Sequence, residues 1–194
     1  AALDAALARL ATLASHRRVT AVGEVGLDTA TPPRAAALPA QVRAFRAQLA
    51  QARAWDLPVV LHVVRAHGEA LRWLRRDGLP AAGGVVHGFG GGPELLADYL
   101  GCGLHVSFGP ALTRPRNRRL REAAAWAPPE RVLVETDGPD QGPADLPRDR
   151  RGPADLVHTL AALAELRGLS ATQAGALTAA NATRLFCLER PLGG

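Results

Sequence analysis

Short aliphatic runs alternate with amphipathic stretches along the whole chain. Runs over 19–25, at Val59-Val60-Leu61-His62, and over 84–89, 104–108 and 131–136 are rich in Val and Leu and bounded by Gly, Pro or Asp, which predicts five strands. Helices are predicted between them over 40–55, 69–76, 93–100 and 116–126. One more precedes the first strand, and two close the chain over about 153–167 and 170–180. In the first helix Leu3, Leu7, Leu10 and Ala14 recur on one face, as do Val42, Phe45, Leu49 and Ala52 over 40–55. The Pro-rich stretch from Pro32 to Pro39 reads as a loop, and the stretch after Asp137 as a longer one. No linker-like change of composition divides the chain, so residues 1–194 read as part of one domain.

Strands that alternate with helices at this spacing predict parallel βαβ units and an α/β fold. Four of the runs lead into a residue able to bind a cation: Glu24 in Gly23-Glu24-Val25-Gly26-Leu27-Asp28, His62, His87 in Val86-His87-Gly88-Phe89-Gly90, and Asp137 in Glu135-Thr136-Asp137. In a (β/α)8 barrel the C-terminal strand ends converge on one catalytic mouth, so one ligand per strand favours a TIM barrel over the alternative, an open doubly wound sheet. Five strands are about the C-terminal five-eighths of such a barrel.

Composition narrows the class without naming a substrate. With 47% hydrophobic residues over 194 positions the chain can build a sizeable core. No apolar run approaches the ~20 residues that span a bilayer, and Asp4 and Arg9 interrupt the N-terminal segment too early for a signal peptide. Cys102 and Cys187 are too few for a disulfide framework, which makes a reducing cytoplasm the expected compartment. All 23 basic residues are Arg, and Lys, Ile and Met are absent, a bias that codon usage in a GC-rich genome explains. The net charge of +5 suits a polyanionic substrate, although any single Arg can equally be a solvated surface residue.

The four motifs, in this order, resemble those of the TatD family of metal-dependent hydrolases, which read approximately GEIGLD, PvilH, HgFsG and ETDaP. The resemblance runs from about Val19 to the C-terminus and takes in Asn181-Ala182-Thr183-Arg184-Leu185-Phe186. It implies a divalent-metal-dependent hydrolase that cleaves phosphoester bonds, with DNA as a candidate substrate. It also implies metal ligation by Glu24, His62, His87 and Asp137, with Glu24 bridging two ions and Asp137 serving as catalytic base; Asp28 would sit beside the site. Arg116, Arg119, Arg150 and His67 are candidates for substrate contact, the arginines in loops at the strand ends and His67 five residues after His62. Glu135 reads as structural.

Members of the family are similar in opening with a strand that ends in His-x-His, and nothing of that kind precedes Glu24; His16 stands alone in Ser15-His16-Arg17-Arg18. The expectation is therefore a chain lacking its N-terminal part, with two divalent ions in the complete protein and at most one in this chain. Two alternatives stay open at this point: a hydrolase of a small ester or amide, and an inactive remnant that binds one metal or a partner. No obligate protein partner is evident.

Overall fold

The computed structural model describes residues 2–143 and 147–188. Five strands form one sheet in the order β1-β2-β3-β4-β5, and helices separate the strands along the chain. The described residues divide into two compact units, one made of 2–85 and 185–188, the other lying within Val86–Arg184.

In the first unit, α1 (Ala2–Ala14) leads to β1 (Val22–Asp28), α2 (Pro32–Ala36), α3 (Leu38–Trp55), β2 (Val59–Val64) and α4 (His67–Asp77). Strands β1 and β2 pair in parallel, with Gly26 opposite His62 and Asp28 opposite Val64, and the register shifts between Val22 and Val25. Side chains alternate across the two faces. Val25, Leu27, Val59 and Leu61 are fully buried, as are Phe45, Leu49 and Ala52 on the inner face of α3. Glu24, Gly26 and Asp28 therefore project from the other face of β1. Along the outer side of the helices, the Arg46 guanidinium donates to Asp77 at 2.6 Å and lies 4.0 Å from the centre of the Trp73 ring. That pairing holds the Asp77 carboxyl below its usual range.

The second unit holds α5 (Pro93–Gly101), β4 (His105–Phe108), α6 (Arg118–Trp126), β5 (Val132–Val134), α7 (Leu156–Arg167) and most of α8 (Ala171–Phe186). Strand β3 (Gly84–Val86) lies at the boundary. Strands β4 and β5 pair in parallel, Val106 with Val132 and Phe108 with Val134. Tyr99, Leu104, Val106, Phe108, Leu112 and Leu163 are fully buried. Phe89 stands edge-on to both Phe108 and Tyr99, with ring centres 5.8 and 6.3 Å away, and so anchors the loop that follows β3.

Several element limits differ from the sequence reading for identifiable reasons. The stretch 32–36 is helical because Pro is tolerated in a first turn, where its missing N–H is not needed. Strand β1 starts at Val22 rather than 19 and extends to Asp28, since Asp28 is held by Gln41 from α3. β3 stops at Val86 and β5 at Val134, so neither His87 nor Asp137 lies in a strand. The final helix continues through Asn181 to Phe186, past the limit of about 180 expected from the sequence.

Asn181 is fully buried, and its amide donates to the carbonyls of Pro129 and Val132, each at 2.7 Å. This ties α8 to the start of β5. Asn181→Ala removes both bonds and is expected to cost about 2–3 kcal/mol of stability, because buried carbonyls lose their donor. Denaturant unfolding of the two proteins measures it.

Candidate metal centre

Glu24 and His62 come together on the same face of β1 and β2. His62 Nδ1 lies 3.5 Å from Glu24 Oε2, and its Nε2 lies 3.8 Å from Asp28 Oδ2. Both separations are long for hydrogen bonds, so the imidazole sits between two carboxylates as a neighbour to each. Gly26 makes the arrangement possible: a Cβ there would collide with the His62 carbonyl and come within 2.8 Å of the His62 Cβ. The register shift between Val22 and Val25 falls at Glu24, where an irregular strand re-aims a side chain.

Asp28 is more tightly built in than its place in the motif suggests. Its Oδ1 accepts the Ala30 N–H at 2.8 Å, and its Oδ2 pairs with Arg34. The bond from Ala30, with Arg34 and His62 nearby, keeps the carboxyl below its ordinary range against the opposing effect of burial. Gln41 grips the same residue through the main chain: its Oε1 accepts the Asp28 N–H at 2.7 Å and its Nε2 donates to the Asp28 carbonyl at 2.9 Å. Nothing local in the sequence marks Gln41. Only its position on α3, one face away from the core residues, could have suggested it.

In the second unit, His87 directly follows β3 and is mostly buried. Its Nδ1 lies 3.5 Å from Glu135 Oε1, the same oxygen that accepts the Gly88 N–H at 2.6 Å. Gly88 has φ +56°, a conformation that turns the chain at low cost only for glycine. The Glu135 N–H donates to the Phe108 carbonyl at 3.0 Å, which carries the β4–β5 pairing one residue past β5. At 3.5 Å the Glu135 carboxylate is a neighbour of that ring nitrogen, in the position where a ligating histidine usually finds its outer support.

Glu24 and His62 in the first unit, and His87 in the second, are each able to offer one ligand atom to a metal ion. One carboxylate with two imidazoles is a donor set suited to a divalent cation such as zinc or manganese.

The remaining predicted residues are placed as follows. Asp137 has φ +48° and sits in a turn, where Oδ2 accepts from the Gln141 side chain at 2.7 Å and the main-chain carbonyl accepts the Gln141 N–H at 2.9 Å. His67 is not a loop residue but the first residue of α4, half-buried, and burial pushes its imidazole below the ordinary range, toward the neutral form. Arg116 and Arg119 are exposed around the start of α6, where Arg119 pairs with Glu94. Arg150 is exposed in a single 3₁₀ turn (Arg148–Arg150), beside the Arg148–Asp140 pair.

A parallel α/β sheet bearing imidazoles and carboxylates on and just after its strands defines the class: a metal-dependent hydrolase of the TIM-barrel type. The family model described as "TatD related DNase" matches residues 1–187. The chain belongs to this TatD family. It is 40% identical over 198 residues to the protein named 3'-5' ssDNA/RNA exonuclease TatD of Pectobacterium carotovorum subsp. carotovorum, covering 95% of this chain and 72% of that one. It is 30% identical to the uncharacterized metal-dependent hydrolase YabD of Bacillus subtilis, covering 93% of this chain and 70% of the relative. The crystal structure of YJJV, a TatD homologue from Escherichia coli, superposes with a TM-score of 0.84 at 32% identity, over 95% of this chain and 68% of that one. The chain spans between 68% and 72% of the length of these relatives. No helix among the described residues is long and apolar enough to cross a membrane.

Proposed function

We propose that the protein hydrolyses phosphoester bonds of nucleic acid with a divalent ion held by Glu24, His62 and His87. The observation that carries this reading is the pairing of Glu24 with His62 on one strand face of the first unit, and His87 beside Glu135 in the second adds a further donor of the same chemistry. Relatives named as single-stranded DNA and RNA exonucleases and as metal-dependent hydrolases support it.

A divalent ion supplies Lewis-acid polarisation of a phosphoryl oxygen. The residues of the chain do the rest. Glu24 would supply negative charge to a bound cation, and Asp137 is a further carboxylate that would be able to serve as a ligand. Asp137 also has the chemistry of a general base, and Gln141 fixes the orientation of its carboxylate. Asp28, kept ionised by Ala30 and Arg34, places a negative charge 3.8 Å from the imidazole of His62. Arg116, Arg119 and Arg150 offer cations to substrate phosphates, and His67, kept neutral by burial, offers a hydrogen bond.

Asp137→Asn is expected to lower kcat by about 10²–10⁴-fold with a much smaller change in KM, because a general base acts in the transition state. Steady-state kinetics on single-stranded DNA measures both constants. A change confined to KM contradicts the base role. The rival substrate class, a small ester or amide, is tested in the same assay: hydrolysis of a nucleic acid falls steeply with salt, whereas that of a neutral ester does not.

A further inference from the structure

A cavity of about 300 Å³ opens beside the start of α6, lined by Gly90, Ala111, Arg116, Asn117, Arg118, Arg119 and Leu120. Three guanidinium groups border it. Arg119 is paired with Glu94, whereas Arg116 and Arg118 are exposed and make no ion pair among the described residues. The first turn of α6 contains no acidic residue. Folding alone favours the opposite arrangement, because the N-terminal end of a helix carries a partial positive charge that acidic side chains relieve. Three arginines here thus concentrate positive potential around an open cavity at some cost to the helix.

Glycines in the neighbouring loop fit the same purpose. A Cβ on Gly92 would come within 2.7 Å of Arg119 Nε, so glycine lets the guanidinium lie directly against the main chain of the loop. That loop is held in place by Phe89 between Phe108 and Tyr99. Gly90, at the cavity wall, is three residues from His87, a distance that extended chain spans in at most about 11 Å. An anion in the cavity is therefore close to one of the proposed metal ligands.

We infer that this cavity is a subsite for a backbone phosphate other than the one cleaved, so that the protein selects polynucleotides over substrates with a single phosphate. The inference rests on the proposed phosphoester hydrolysis, and it names what lies beyond the reacting bond. Arg116 and Arg118 meet the phosphate oxygens by paired hydrogen bonds, and Arg119, held by Glu94, closes the third side.

The test compares wild type with the Arg116→Ala/Arg118→Ala double variant. Binding of a labelled single-stranded oligonucleotide is measured by anisotropy across a salt series without added metal. Hydrolysis of the oligonucleotide and of bis(p-nitrophenyl) phosphate is measured with metal. The double variant is expected to bind the oligonucleotide about 10- to 100-fold more weakly, with a log–log salt slope shallower by about one unit per lost contact. Its kcat/KM is expected to fall further on the oligonucleotide than on the single-phosphate diester. Arg116→Lys/Arg118→Lys, which keeps the charge without the paired geometry, is expected to recover the slope but only part of the affinity. Unchanged binding and slope, or equal losses on both substrates, overturn the subsite. Failure of the wild type to hydrolyse either substrate with metal overturns the proposed activity instead, while the binding series still decides the subsite.

Discussion

Glu24→Gln is expected to lower metal-dependent hydrolysis by about 10²–10³-fold while leaving the fold intact. The side chain is largely exposed and contributes nothing to the core, so the change is one of charge rather than of packing. Removing that charge takes away the only carboxylate in the donor group with His62 and His87. A neutral amide binds a divalent ion weakly and cannot be shared between two, which costs several kcal/mol of transition-state stabilisation. Metal content and turnover measured on the same sample, with circular dichroism for the fold, test this. Full turnover with a full complement of metal removes Glu24 from the site.

Gly26→Ala is expected to be the most damaging single methyl group in the first unit, costing about 3–5 kcal/mol. Here the cause is backbone, not chemistry. The added Cβ falls on the His62 carbonyl, which cannot swing aside as a flexible side chain would, because β2 is paired to β1 at that residue. The two strands must separate, and Glu24 and His62 are carried apart with them. Thermal unfolding is expected to show a lower midpoint, and metal affinity is expected to fall in the protein that remains folded. A stability equal to that of wild type contradicts the close approach of the two strands.

The alternation of apolar runs with amphipathic helices is enough to reveal the α/β class, because burial on both faces of a parallel sheet leaves unbroken Val and Leu runs. The order of Glu24, His62, His87 and Asp137 is legible for a similar reason: Glu24 and His62 lie within strands and His87 and Asp137 follow one, so an apolar run marks each. What lies between the strands is harder to read. Glu135 reads as merely structural, yet one of its oxygens binds the Gly88 N–H and backs His87, a pairing across 47 residues that no local pattern announces. Gln41 holds the end of β1 from a helix 13 residues away, and glutamine carries no periodic signal. The last strand is shorter than its apolar run suggests: β5 ends at Val134 rather than 136, and Asp137 follows with φ +48°.

Hydrolysis in the proposed reaction depends on a divalent ion bound through Glu24, His62 and His87. Its most direct test is to strip the protein with a chelator and titrate Mg, Mn, Co and Zn back, following bound metal and cleavage of single-stranded DNA together in wild type and in His62→Ala/His87→Ala. The prediction is no cleavage after stripping, recovery in step with metal uptake in wild type, and loss of both uptake and cleavage in the double variant. Cleavage that survives stripping, or a double variant that binds metal and cleaves as wild type does, contradicts the account.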